Sequence, residues 1–191
     1  MKVTGFNCSP RKDGNTSRMI KTVFSVLEEH GIETEFVQVG GVDMRACRAC
    51  GKCKENMDGK CIYNDDPLNE FSAKMVESDG IIIGSPTYFS DLTAEAKTLI
   101  DRVGYSCGTK EGNPLKRKVG AAVASARRAG SIQVLDNINH FFLIKEMIIP
   151  GSTYWNMSLA RAPGDYDDDE EGVRTMKTLG ENMAWLLKKL E

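Results

Sequence analysis

The sequence predicts an α/β fold, in which a five-stranded parallel sheet is doubly wound in the order 2-1-3-4-5 and helices cover both faces. Segments typical of strands alternate with segments whose apolar residues recur every three or four positions, as on one face of a helix. One strand candidate, Gly80–Gly84, is a continuous apolar run, which is typical of a strand buried on both faces. Repeated strand–helix alternation indicates βαβ units and therefore a parallel sheet.

The individual elements follow from local patterns. The predicted strands are Lys2–Asn7, Glu33–Val39, Gly80–Gly84, Val119–Ala124 and Met147–Pro150. Helical stripes run from Met19 to Leu27, Leu92 to Val103, Ile132 to Ile144 and Val173 to Leu190. Another helix is expected near Asp66-Pro67, because aspartate caps helices and proline suits the first turn. We expect one domain over residues 1–191, with a cysteine-rich insertion at about residues 45–64.

Composition excludes several classes of protein. The chain has 191 residues, 41% hydrophobic and 27% charged, which is ordinary for a globular domain. A formal net charge of −2 argues against non-specific nucleic-acid binding, which needs a basic excess. No apolar run approaches the ~18 residues of a membrane span, and the first residues lack the apolar core of a signal peptide. We therefore expect a cytoplasmic protein that binds neither membranes nor nucleic acids.

A polar loop, Cys8–Ser17, joins the first strand to the first helix, beside the expected topological switch point where such sheets bind ligands. The loop supplies hydroxyls from Ser9, Thr16 and Ser17, an amide from Asn15 and a cation from Arg11. With the free N–H groups of the helix, these residues suit a phosphate monoester. The alternative is an ordinary capped helix after a polar loop. The loop lacks Gly-x-Gly-x-x-Gly and Gly-Lys-Ser/Thr, so neither a dinucleotide fingerprint nor a P-loop is indicated.

This loop, the segment Gly84-Ser-Pro-Thr-Tyr-Phe-Ser90, Lys97 and Ile100-Asp-Arg102 together resemble the NADPH-dependent FMN reductase and iron–sulfur flavoprotein group, which has a flavodoxin-like fold. The resemblance extends from Met1 to about Arg102. It implies that FMN binds with its phosphate in the first loop. It also implies a homodimer or homotetramer with FMN near a subunit boundary.

The resemblance assigns a second loop, Pro86, Thr87, Tyr88 and Phe89, to the isoalloxazine ring. The residue types agree, because such a strand end offers backbone N–H groups to the polar edge of the ring and aromatic surface to its face. The alternative is that Tyr88 and Phe89 are core residues of a turn. Asp101 and Arg102 are expected to form structural ion pairs at a helix end rather than touch the flavin.

A third loop should follow the next strand. Its Ser125 and Gly130 could let the backbone approach the flavin, and this part matches the family only loosely. Arg127 and Arg128 could face a phosphate of FMN or of NADPH, or could simply be surface residues.

Four of the six cysteines form the pattern C-x2-C-x2-C-x7-C, at Cys47, Cys50, Cys53 and Cys61. Three thiolates spaced by two residues can cover one face of a cubane cluster, and the fourth ligand arrives from farther along the chain. Zinc sites more often show two separated C-x2-C pairs, so the pattern favours a 4Fe–4S cluster. Zinc, or reduced thiols without metal, stay as alternatives. We interpret the other two cysteines as small core or loop residues.

Together with these patterns, the resemblance implies an FMN-dependent oxidoreductase that transfers electrons. With a cluster, a one-electron carrier such as ferredoxin could feed the flavin; without one, NAD(P)H could reduce FMN, and FMN a quinone or free flavin. No catalytic acid–base residue is assigned, because such transfers require none. The alternative from another class is a non-catalytic redox or metal sensor with a vestigial flavin site. We expect the cysteine loop to lie at the carboxyl edge of the sheet, on the flavin side.

Overall fold

A computed structural model describes the whole chain, Met1–Glu191. The strands are β1 (Lys2–Asn7), β2 (Glu33–Gln38), β3 (Gly80–Pro86), β4 (Val119–Ala126) and β5 (Met157–Leu159). The helices are α1 (Asn15–Glu29), α2 (Lys52–Asn56), α3 (Leu68–Glu77), α4 (Ala94–Ser106), α5 (Ser131–Ile144) and α6 (Glu170–Leu190), and a 3₁₀ turn spans Asp165–Asp168. All strands are parallel in the order β2-β1-β3-β4-β5, which confirms the predicted topology.

The central strand shows how the sheet separates two apolar layers. Ile81 and Ile83 of β3 pack with α3, α4 and α5, whereas Ile82 packs on the opposite face with α1 and α6. Successive side chains of a strand point to opposite faces, so an unbroken apolar run serves both layers. All three isoleucines are fully buried, as the sequence predicts. No helix has the combination of length and apolarity that a membrane crossing requires.

The predicted last strand is wrong in position. Met147–Pro150 does reach the sheet, but only Ile148 forms a bridge, with Val119 at the start of β4. Pro150 has no N–H to donate, so the ladder stops there. The chain then leaves the sheet and returns to its edge at β5, which pairs with the end of β4, Ala124–Ala126. The segment after β5 therefore reaches the carboxyl edge of the sheet.

The connection from β2 to α3 runs along α4. Near its start, the N–H of Gly41 donates to Glu95 in the first turn of α4, at 3.1 Å. Farther on, Asp58 forms a bridge with Thr109, beyond the end of α4. The cysteine-rich segment is thus carried from one end of this helix to the other.

Candidate functional site

A cleft opens at the carboxyl edge of the sheet, where the loops after β1, β3, β4 and β5 meet. It is lined by Ser9, Arg11, Gly14, Asn15, Thr16, Pro86, Thr87, Tyr88, Ser125, Arg127, Ala160 and Arg161. The strand order reverses between β1 and β3, so the cleft lies at the topological switch point. The three loops singled out in the sequence meet here, although Ser17, Phe89 and Gly130 lie outside the lining.

The amino end of α1 forms one wall of the cleft. Gly14 precedes the helix, no side chain caps it, and the first helical N–H with a backbone acceptor is that of Arg18. Thr16 and Ser125 join their hydroxyls at 2.8 Å, while the fully buried Ser17 hydroxyl has no protein partner. Free N–H groups, hydroxyls and the positive end of the helix dipole together suit an anion.

Asn15 has a different role from the one expected of its amide. Its side-chain oxygen accepts from the N–H of Gly164 at 2.9 Å and of Tyr166 at 3.4 Å. Its side-chain nitrogen donates to the carbonyl of Ala162 at 2.9 Å. The amide therefore ties α1 to the segment after β5, and this leaves the backbone N–H of Asn15 as its free donor toward the cleft.

The floor of the first loop is supported by a close approach from the neighbouring connection. A Cβ added at Gly40 would lie 2.1 Å from the carbonyl carbon of Ser9 and 2.5 Å from the nitrogen of Pro10. Only glycine fits at this distance. The segment after β2 thus presses directly on the backbone of the loop that would hold a phosphate.

The second loop is a tight hairpin. Tyr88 and Asp91 exchange two backbone hydrogen bonds of 2.8 and 3.0 Å, and Phe89 and Ser90 form the turn with φ of 49° and 61°. Two left-handed residues are typical of a type I′ turn. Tyr88 lines the cleft and is 47% exposed, so it is not a core residue. Phe89 is fully exposed at the tip.

The third loop supports that hairpin. Gly130 has φ of +91°, and a Cβ there would lie 2.9 Å from the Cα of Ser90. Thr87 is held to β4 by its N–H, which donates to the carbonyl of Ser125 at 2.8 Å, while its buried hydroxyl has no protein partner. Gly130 therefore acts by letting the two loops pack together.

The charge of the cleft has one sign. Arg11, Arg127 and Arg161 line it, no carboxylate does, and none of the three arginines forms an ion pair. Sequence reasoning missed Arg161, because it placed the last strand ten residues too early. The only available signal was the short Met157-Ser-Leu159 segment just before it.

A second cavity, of about 250 Å³, brings the four predicted cysteine ligands together. It is lined by Cys47, Arg48, Ala49, Cys50, Gly51, Cys53, Lys54, Cys61, Ile62, Tyr63, Arg102, Tyr105 and Ser106. Three cations and no carboxylate face it. Its volume is several times the ~30 Å³ that one water occupies in the liquid, so it has room for a polyatomic group.

The cysteine side chains themselves are not arranged around one point. No three Cys, His, Asp or Glu side chains of the chain converge as ligands of a single metal ion would. Cys47 and Cys50 are exposed, whereas Cys53 and Cys61 are partly buried. Burial raises the pKa of the Cys53 thiol, and the nearby Cys61 adds to that effect.

Arg102 anchors both ends of the cysteine-rich segment. Its side chain is 1% exposed and pairs with Asp66, while the same guanidinium donates to the carbonyl of Arg45 at 2.9 Å. Its other terminal nitrogen donates to the carbonyl of Tyr63 at 3.2 Å and to the Sγ of Cys61 at 3.3 Å. Asp101, in contrast, pairs on the surface with Lys97. Asp101 and Arg102 thus both form ion pairs, as expected, but with separate partners.

The two cavities lie toward opposite ends of α4. Thr93, which caps the start of the helix, donates to the carbonyl of Cys8 beside the first loop at 3.0 Å. Arg102 and Ser106 lie about 13 and 20 Å farther along, at 1.5 Å per residue. The cysteine cavity is thus displaced from the cleft along α4, and a position of the cysteines on the flavin side of the molecule stays a prediction.

Comparison with known proteins agrees with this geometry. The family described as NADPH-dependent FMN reductase matches residues 1–162. An iron–sulfur flavoprotein from Methanocaldococcus jannaschii is 38% identical over 198 aligned residues, covering 100% of both chains. Among solved structures, RosB with bound 8-demethyl-8-formylriboflavin-5′-phosphate has a TM-score of 0.79 at 18% identity, over 100% of this chain and 80% of its own.

A flavodoxin from the domain Archaea has a TM-score of 0.64 at 16% identity, over 98% of this chain and 99% of its own. At such identities these structural matches establish the fold alone. The family match and the full-length relative go further, because together they cover the chain from end to end. The chain therefore belongs to the NADPH-dependent FMN reductase family and is a flavin-dependent oxidoreductase of flavodoxin-like fold.

Proposed function

We propose that the protein binds FMN in the carboxyl-edge cleft, holds a 4Fe–4S cluster in the cysteine cavity, and moves electrons between the two. The observation that supports this most directly is that all four motif cysteines line one cavity with cationic walls. A cluster ligated by four thiolates carries net negative charge, which Arg48, Lys54 and Arg102 would offset. The name of the full-length relative, an iron–sulfur flavoprotein, points the same way.

The residues of the cleft fit FMN. The phosphate would lie against the N–H groups at the start of α1, with Thr16, Ser17 and Ser9 as hydroxyl partners and Arg11 as counter-ion. The ring would lie along Pro86, Thr87 and Tyr88, whose aromatic side chain is half-exposed at the cleft. Bound FMN supplies the redox chemistry, since it can exchange either single electrons or a hydride. The protein binds the flavin, orients it and sets its electrostatic surroundings.

The positions of the two sites favour an electron path between subunits. Within one chain, the cysteine cavity lies toward the far end of α4 from the cleft, about 13 to 20 Å along the helix. A homodimer or homotetramer would place the cysteines of one copy near the flavin of another. Large apolar side chains are exposed beside that end of α4, at Tyr105 and Ile144. We place the protein in the cytoplasm, where thiols stay reduced.

The test begins with protein purified without air. We expect bound FMN together with iron and acid-labile sulfide, and a broad brown absorption beneath the flavin bands. Cys50→Ser should abolish that absorption and the iron content while leaving FMN bound. Cys107→Ala is the matched control, since this cysteine is buried outside the cavity lining. FMN without iron or sulfide, even after anaerobic reconstitution, would refute the cluster.

A second candidate is an NAD(P)H-dependent FMN or quinone reductase without a cluster. Arg127 and Arg161, which line the cleft without ion-pair partners, favour it, because they could bind the phosphates of a nicotinamide donor. Anaerobic reduction of bound FMN by NADPH, compared with reduction by ferredoxin, distinguishes the two donors. The sensor alternative is disfavoured, because a vestigial flavin site would not need to keep a complete cleft with free donors.

A further inference from the structure

Two buried side chains of α4 form one wall of the cysteine cavity, and each leaves a hydrogen-bond donor unused. Arg102 and Ser106 are both 1% exposed and both line the cavity. They are four residues apart, so they lie on the same face of the helix. The Nε of Arg102 and the hydroxyl of Ser106 have no hydrogen-bond partner in the protein.

Buried donors without an acceptor are unusual in a folded protein. A buried donor without an acceptor costs about 1–3 kcal/mol, and native proteins leave few of them. The rest of the Arg102 guanidinium is fully engaged, with Asp66 and the carbonyls of Arg45 and Tyr63, and with the Sγ of Cys61. Its position is therefore fixed, and the unused N–H is presented by a rigid group.

We infer that Ser106 and Arg102 are positioning residues that donate hydrogen bonds to sulfur atoms of the cluster and thereby raise its reduction potential. The inference rests on the proposed function, because it needs a sulfur-rich group in the cavity. One added electron increases the negative charge on the sulfur atoms without making or breaking a bond. Donors aimed at those atoms then stabilise the reduced form more than the oxidised form.

The chain offers a matched control. Ser72 on α3 is also buried, at 2% exposed, and its hydroxyl also lacks a partner, but it does not line the cavity. Ser72→Ala and Ser106→Ala each remove one unused buried hydroxyl. Any general effect of that change on packing or stability should appear in both variants, whereas an effect on the cluster should appear only in the second.

The experiment is a potentiometric titration of the anaerobically prepared holoprotein with dithionite, followed by the EPR signal of the reduced cluster. Ser106→Ala should raise the ratio of oxidised to reduced cluster at fixed solution potential by roughly three- to tenfold, the range expected for one hydrogen bond. Tenfold corresponds to about 59 mV for a one-electron couple. Ser106→Thr, which keeps the hydroxyl, should restore the wild-type value, and Ser72→Ala should match it.

Arg102→Lys keeps the charge but loses the planar donor set, and it should lower the potential and loosen iron retention about tenfold or more. If this variant does not fold, Ser106→Ala alone decides the matter. An unchanged potential in Ser106→Ala, with full iron and FMN content, would overturn the inference and leave the proposed function intact. Wild-type protein that assembles no cluster would overturn both.

Discussion

Replacing Arg102 by methionine should destabilise the protein severely while leaving Asp66 as a buried carboxylate without its partner. The two side chains are 1% and 6% exposed, so water cannot replace the lost contact. Removing one partner of a buried ion pair typically costs 3–5 kcal/mol. In a chain of this size each kcal/mol lowers Tm by about 2–4 °C, so a fall of about 6–20 °C is expected.

A double variant separates the ion pair from the loss of packing. Arg102→Met with Asp66→Asn leaves no unpaired charge, so it should be more stable than Arg102→Met alone. Thermal and urea unfolding of the four proteins complete the cycle. A Tm for Arg102→Met within 2 °C of wild type, or strictly additive effects in the double variant, would refute the buried-pair argument.

The same pair predicts a pH dependence. Burial opposes ionisation of Asp66, but hydrogen bonds from Arg102 and from the backbone N–H groups of Arg45 and Leu68 outweigh it and hold the pKa of Asp66 below its usual value. A carboxylate with a lowered folded-state pKa contributes stability that is complete above its unfolded pKa and is lost as pH falls through the folded value. The difference in unfolding free energy between wild type and Arg102→Met should therefore narrow below about pH 4.

Four further predictions concern the cleft and its supporting loops. Thr16→Ala should weaken FMN binding about fivefold, by roughly 1 kcal/mol, in a fluorescence titration, whereas Ser25→Ala on the exposed side of the same helix should not. Tyr88→Ala should shift the spectrum of bound flavin with little change in Tm, since this side chain is half-exposed; a fall of several kcal/mol in stability would contradict that. Phe89→Gly should raise the free energy of unfolding by about 1 kcal/mol, because the backbone φ of Phe89 is 49°, which strains a non-glycine residue, and its exposed side chain contributes no packing; unchanged urea unfolding would count against strain at this turn. Gly40→Ala should displace the first loop and lower FMN affinity, because its Cβ would lie 2.1 Å from a Ser9 atom; wild-type affinity would show that the loop tolerates the shift.

Much of the fold could be predicted from local patterns. The apolar run at Gly80–Gly84 requires burial on both faces, and the structure places it at the centre of the sheet. The stripe from Met19 to Leu27 identifies α1. The polar loop before it directly follows a strand, at the end where parallel sheets bind ligands. These features depend on residues close together in sequence, so periodicity and spacing are sufficient to find them.

The edge strand and the path of the cysteine-rich segment could not be found in this way. β5 has three residues and is defined by pairing with Ala124–Ala126, not by its own pattern. The cysteine spacing indicates which thiols act together, but not where they lie. Their position is set by Arg102, which binds carbonyls and a carboxylate 36 to 57 residues away in sequence. Local sequence thus determined the elements and the loop chemistry, whereas long-range packing along α4 decided that the two candidate centres of one chain lie apart.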